Sequence, residues 1–248
     1  MAQQTARMSP QLYARSCGVL YLYIFVAGSF AELGVRSKLI VSGDAAATAA
    51  NIIASESLFR FGFSGELLHL ACDVAVAILL YALLRPVDRY IALLAAFMRL
   101  ACDLILATAS LSHFAALHLL GGSEYLKTFE PDQLHSLALL AMKLHGDGYA
   151  ISLMFFGFAC FSLGYLIFRS GYLPRAIGAL LAVAGACYLI NSFAHFLFPA
   201  TGAALFNAGI LLPCFVAELS LTLWLLVKGV NVAKWGERVC PKRLLPAR

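Results

Sequence analysis

Glu66, His69 and Asp73 stand at positions i, i+3 and i+7 of the stretch FGFSGELLHLACDVAVAILLYALL (residues 61–84). At 3.6 residues per turn this spacing predicts a single stripe on one helix. A carboxylate and an imidazole three residues apart can share one metal ion, as Glu-x-x-His does in di-iron bundles. Such bundles use two copies of the motif, and the chain has one. The same groups suit proton relay or the binding of a polar ligand. Their setting makes them informative, because the stretch is otherwise apolar. Even the mildest scales charge about 2.5–3.5 kcal/mol for an ionised side chain at the middle of a membrane helix.

Other polar groups lie in similar apolar runs. Arg99 and Asp103 are four apart, so they can pair with each other or reach Asp73 or Glu66 on the previous helix. Ser110, His113 and His118 follow on the same segment. His145 and Asp147 open the fourth segment, Asn191, Ser192 and His195 end the fifth, and Asn207 and Glu218 flank Pro213 in the sixth. Glu32 closes the first. At 1.5 Å rise per residue, His69 is expected ~15 Å below the outer surface, with Asp103 and Glu218 at similar depth. An acid/Arg cluster near the midplane is therefore expected, with a His/Asn funnel leading outward. Its candidate lining residues are Glu66, His69, Asp73, Arg99, Asp103, His145, Asp147, Asn191, His195 and Glu218. If a metal is held, His69, His145 and His195 with Glu66 or Asp147 offer nitrogen and oxygen ligands for zinc or iron. Against this stands a purely structural reading, in which the ionisable groups pair and fix helix packing.

The elements that position these residues follow from composition. The chain has 248 residues, 62% hydrophobic and 12% charged, with a mean hydropathy of +0.85. A soluble domain is about half apolar and a quarter charged. The expected fold is therefore an all-α, polytopic membrane bundle, with spans near 15–33, 59–84, 90–119, 147–169, 175–198 and 204–228. Residues 1–232 form one domain and 233–248 a short basic tail. Arg7, Arg15, Arg85, Arg89, Arg169, Arg175, Lys228, Lys234, Arg238, Lys242, Arg243 and Arg248 fall on one face. Arg36, Lys38, Arg60, Lys127 and Lys143 fall on the other. The positive-inside rule then places both termini in the cytoplasm. The first segment is expected to be a retained anchor, since its apolar run is long for a signal peptide and no A-x-A site follows.

The same rule accounts for a pI near 8.9 without nucleic acid, for which no zinc finger or recognition helix is present. Nucleotide loops, nucleophile elbows and H-E-x-x-H are also absent. The seven cysteines, Cys17, Cys72, Cys102, Cys160, Cys187, Cys214 and Cys240, form no C-x-x-C pair and read as small apolar residues. Gly157 with Gly164, and Gly178 with Gly185, are each seven apart and mark close-packing faces. Ser42 and Asp44 precede an alanine-rich helix. Pro131 after Glu130 starts an amphipathic lead-in over 131–145, with Gly146 and Gly148 offering a bend. FPATG (198–202) is expected as a tight, uncharged outer loop.

The strings VRSKLIVSGDAAATAANIIASESLFRFGF (35–63), LLRPVDRYIALLAAFMRL (83–100), GYLIFRSGYLPRAIGALLAVAG (164–185) and AELSLTLWLLVKGVN (217–231) resemble the bacterial membrane family called domain of unknown function 4386. The resemblance runs from about residue 12 to residue 231. It implies a multi-helix protein of the bacterial inner membrane and carries no catalytic residues with it. The functional expectation is an outward-opening polar cavity that binds a small molecule or lipid. A membrane-embedded metalloenzyme, a proton- or ion-coupled transporter, and an assembly partner without chemistry are the alternatives.

Overall fold

The structure is a computed structural model that describes residues 9–239. Arg7, Cys240, Lys242, Arg243 and Arg248, and most of the expected basic tail, lie outside the described residues. Five helices are long and apolar enough to cross a membrane: α1 (Pro10–Leu39), α3 (Glu56–Leu84), α4 (Arg89–Leu120), α5 (Pro131–Ser170) and α6 (Arg175–Leu197). A sixth span is a bent pair, α7 (Pro199–Asn207) and α8 (Leu212–Val227), which meet at 53°. The short helices α2 (Ala45–Ala54) and α9 (Val232–Val239) complete the chain. No strand occurs among the described residues, so the protein is an all-α, multi-pass membrane bundle.

Local chemistry sets the helix starts. Ser9 caps α1, its hydroxyl accepting from the Leu12 amide at 3.2 Å, with Pro10 in the first turn. Asp44 accepts from the Ala47 amide at 2.8 Å and starts α2. Asp88 takes the amides of Tyr90 and Ile91 at 2.9 and 3.0 Å, and starts α4. Glu130 and Gln133 form a reciprocal capping box ahead of Pro131.

Three expectations need correction. The first span continues past residue 33 to Leu39 and includes a π-helical stretch, Phe30–Arg36. The lead-in over 131–145 does not bend at Gly146 or Gly148. It runs unbroken into the fourth span as one helix of 40 residues. Gly148 has a packing role instead, for a Cβ there would strike the Ala109 methyl on α4. The sixth span is interrupted after Asn207, with Gly209 at φ 81° in the break. Such a left-handed position favours glycine, which has no Cβ to clash there.

Each span packs on two neighbours, so α1, α3, α4, α5, α6 and α8 close a ring that returns to α1. The α5–α6 seam has glycine on both sides. A Cβ on Gly164 would lie 2.7 Å from the Gly178 carbonyl oxygen, and one on Gly157 would lie 3.0 Å from that of Gly185. This is the close backbone approach that paired small residues allow. One face of the bundle carries both ends of the described chain. There the Gln11 side chain donates to the Lys228 carbonyl at 3.0 Å, Trp235 donates to Leu83 at 3.0 Å, and Arg238 donates to Arg169 at 3.0 Å. Apolar clusters fill the two ends of the bundle, one including Val76 and Leu221, the other Phe59, Ile52 and Met142. On α3, Glu66 and Asp73 fall between Phe59 and Val76. Along α3 the polar groups thus lie between two apolar clusters.

Candidate functional site

The polar residues form two layers with buried centres, where Glu32 is about half exposed and Glu218 half-buried, and one open pocket. The first layer is built around Arg99. Its Nε donates to Asp73 Oδ2 at 2.8 Å, its Nη2 to Asp73 Oδ1 at 2.5 Å, and its Nη1 to the Tyr21 hydroxyl at 3.3 Å. Tyr21 donates in turn to Glu218 Oε2 at 3.1 Å, and Tyr188 donates to Glu218 Oε1. The guanidinium lies 4.6 Å from the Tyr21 ring centre and 5.0 Å from that of Phe156. Each of the six spans therefore gives this layer at least one side chain: Tyr21, Asp73, Arg99, Phe156, Tyr188 and Glu218. Asp103, also buried, leaves its Oδ2 without a hydrogen-bond partner. The choice open to Arg99 is settled here in favour of Asp73, because the bidentate fork needs a carboxylate facing it across the helix pair.

The second layer is two turns further along α3, ~10 Å toward the face away from the termini. Arg36 Nε donates to Glu32 Oε2 at 2.8 Å, and Arg36 Nη1 to Glu66 Oε2 at 3.1 Å. The same Nη1 lies 3.4 Å from His145 Nε2. The Ser110 hydroxyl lies 3.3 Å from Glu66 Oε1 and 2.9 Å from the Leu106 carbonyl. His145 Nδ1 lies 3.2 Å from the Ala109 carbonyl, which can only accept. His113 Nδ1 lies 3.8 Å from Glu66 Oε2, and neither ring nitrogen of this buried residue has a hydrogen-bond partner. Phe59 packs against the His113 ring at 4.3 Å, and His145 at 5.1 Å.

The open pocket has a volume of about 400 Å³ and lies between α5, α6 and the broken pair α7/α8. Asn191, His195, Asn207 and Tyr149 are its polar lining, with Leu153, Phe206 and Leu211 among the apolar walls. At its edge His195 Nε2 meets Asp147 Oδ1 at 2.9 Å, and both side chains are about half exposed. A second cavity of about 480 Å³ opens on the termini face, where Arg85, Arg89 and Arg238 stand with Tyr13, Tyr81 and Trp235.

The single cavity expected from sequence is thus divided. Asp73, Arg99, Asp103 and Glu218 build one buried layer, and Glu66 and His145 belong to the other. Asn191 and His195 line the pocket, while Asp147 holds His195 at its edge. His69 lies against Gly28 on α1, its ring 3.6 Å from the place of a glycine Cβ. The expected metal group of His69, His145, His195 and Glu66 is not brought together. His195 is on α6, which stands across the ring from α3, and His69 turns toward α1. Instead, one ligand atom each from Glu66, His113 and His145 fall within 4.8 Å of one another. Arg36 and His113 were missing from the expected set. Glu32 and Arg36 at i, i+4 are a signal for the first, hidden by ending helix one too early. His113 shares a stripe with Arg99, Asp103 and Ser110, which is a signal for the second.

The sequence model of the family described as domain of unknown function (DUF4386) matches residues 17–229. An uncharacterised protein of Archaeoglobus fulgidus is 28% identical over 174 residues, covering 70% of this chain and 87% of that protein. No solved structure matches the chain.

Proposed function

Because the chain belongs to the family of domain of unknown function 4386, whose description names no activity, we propose a function from its own geometry: it binds a lipid or lipid-like amphiphile in the outward pocket. The observation that carries this reading is the break after Asn207. Unwound backbone at membrane depth is tolerated where it is buried in protein or lines a water-filled cavity, and broken spans elsewhere mark binding sites. Here the break borders a cavity of about 400 Å³ with amides from Asn191 and Asn207 and an imidazole from His195. A few convergent polar groups on apolar walls are the usual make-up of a small-molecule site. The Lys/Arg-rich termini face is the cytoplasmic side of the bacterial inner membrane, and the pocket opens outward. The arginines of the termini-face cavity add a contact for anionic lipid headgroups, which attract basic segments at about 1 kcal/mol per residue.

The test is native mass spectrometry of protein extracted in mild detergent, followed by thermal shift with the lipids that co-purify. Wild type should retain an amphiphile, and Asn191→Leu with Asn207→Leu should lose it while remaining folded. Equal retention by the double variant sinks the reading.

Proton- or ion-coupled transport is the second reading. Three carboxylates, Asp73, Asp103 and Glu218, share a layer with one guanidinium, and Asp103 Oδ2 is unpartnered. Midmembrane carboxylates of this kind serve proton relays. Proton flux into liposomes, abolished by Asp103→Asn, would favour it over the pocket.

A further inference from the structure

We propose that Glu66, His113 and His145 form a binding site for a divalent transition metal of the zinc or ferrous class, and that Arg36 is the cation it displaces. This site is separate from the pocket, and either can fail without the other.

The ligand set comes first. Two imidazoles and one carboxylate present atoms within 4.8 Å of one another, all three residues being buried. Two neutral nitrogens and one oxygen suit zinc or ferrous iron. Calcium and magnesium prefer all-oxygen shells. Three protein ligands also leave a coordination position open, the pattern of catalytic rather than structural zinc.

The orientation of the ligands is the second argument. The Ala109 carbonyl, 3.2 Å from His145 Nδ1, accepts that nitrogen's proton, so Nε2 presents a lone pair to the cluster. A backbone partner on the far ring nitrogen is the usual support of a metal-bound histidine. The Ser110 hydroxyl lies 3.3 Å from Glu66 Oε1 and 2.9 Å from the Leu106 carbonyl, so its one proton is shared between them. The lone pair of His145 Nε2 and the Glu66 carboxylate are 3.7 Å apart and repel each other unless a cation lies between them. Arg36 Nη1 is that cation here, at 3.1 Å from Glu66 and 3.4 Å from His145.

The third argument is what Arg36 leaves undone. Both nitrogens of His113 are buried without a partner. A buried polar atom without a partner loses its hydration and gains nothing in exchange. Arg36 serves two of the three electron-rich groups, whereas a metal ion serves all three. Arg36 also has an alternative, since its Nε already holds Glu32 Oε2 at 2.8 Å. On metal binding the guanidinium keeps Glu32 and gives up Glu66. Glu66 then offsets one of the ion's two charges, and Glu32 stays paired with Arg36.

The experiment uses full-length protein without a histidine tag, purified in detergent and stripped of metal. Cobalt(II) is titrated as a spectroscopic substitute, and zinc and iron are counted by mass spectrometry in protein never exposed to chelator. One ion per chain is expected. His113→Ala and His145→Ala should each weaken it at least about tenfold, the scale on which even outer-shell losses act. His69→Ala and His195→Ala should leave it unchanged. Arg36→Gln should tighten it, an effect that a structural role for the cluster does not produce. If His113→Ala fails to fold, X-ray absorption of the wild type decides by counting imidazole ligands: two support the site, and fewer overturn it. Absence of any bound ion in both wild type and Arg36→Gln overturns the proposal, as does equal binding by folded His113→Ala.

Discussion

Replacing Arg99 by methionine isolates the worth of the layer that joins all six spans. Arg99→Met keeps the apolar stem and removes the guanidinium. It breaks the two-pronged bond to Asp73, the bond to Tyr21 and the stacking on Tyr21 and Phe156. Asp73 is then left buried beside Asp103 without a cation. Removing one partner of a buried pair costs about 3–5 kcal/mol, or two to three and a half orders of magnitude in the folding equilibrium at about 1.4 kcal/mol per decade. Polar contacts between membrane helices average only about 0.6 kcal/mol. The larger figure applies here because both side chains are buried and the geometry is bidentate. The assay is reversible unfolding in mixed micelles of mild detergent and SDS. The double variant Asp73→Leu with Arg99→Met should return to within ~1 kcal/mol of wild type, because matched apolar replacement of a buried pair is often neutral. A single variant that loses less than ~1 kcal/mol refutes the reasoning. A double variant as weak as the single one refutes the claim that the penalty is the orphaned charge.

Other positions give further expectations. Gly164→Leu should separate α5 from α6, where the Gly178 carbonyl leaves no room for a Cβ; overpacking of about 1–3 kcal/mol is expected in the same unfolding assay. Gly209→Val should destabilise the break and abolish ligand retention, since a β-branched residue resists φ 81°. Tyr172, in the loop between α5 and α6, donates to the Leu83 carbonyl at 2.8 Å, and burial pushes its phenol above the ordinary value of 10.0. Its neutral form is favoured in the folded state, so its contribution is full below about pH 10 and falls as pH rises further. That alkaline loss should be smaller in Tyr172→Phe, checked by unfolding at a series of pH values. Arg85→Gln with Arg89→Gln should reduce the stabilisation given by anionic over neutral lipids, measured by thermal shift in nanodiscs.

The membrane class and five of the six spans were legible because a run of some 20 apolar residues has few other uses. The stripe of Glu66 and Asp73 was also legible from its spacing. Seven residues along a helix is ~10 Å of depth, but the spacing does not say that partners from other helices, Arg99 for Asp73 and Arg36 for Glu66, make two separate layers of it. The break in the sixth span was hidden for a related reason. AALFNAGILLPCF is apolar throughout, and hydropathy does not tell a straight helix from a bent one, though Gly209 and Pro213 stood there as breakers. Partners across the ring were out of reach. Nothing near Tyr21 in the chain says that it will meet Glu218, or that α6 stands opposite α3 and so keeps His195 from Glu66. Arg36 falls outside a first span that ends at residue 33, whereas the helix runs on to Leu39 and brings Arg36 to Glu66.

The closure of the ring by its first and last spans has a consequence for biosynthesis. Tyr21 and Glu218 are 197 residues apart in sequence. At 5–20 residues per second, the first span waits roughly 10–40 s for its partner to leave the ribosome. During that interval Arg99 and Asp73 are in the bilayer within an open horseshoe of helices, exposed to lipid on the side that α8 will cover. Chains truncated before Leu212 carry this polar gap permanently.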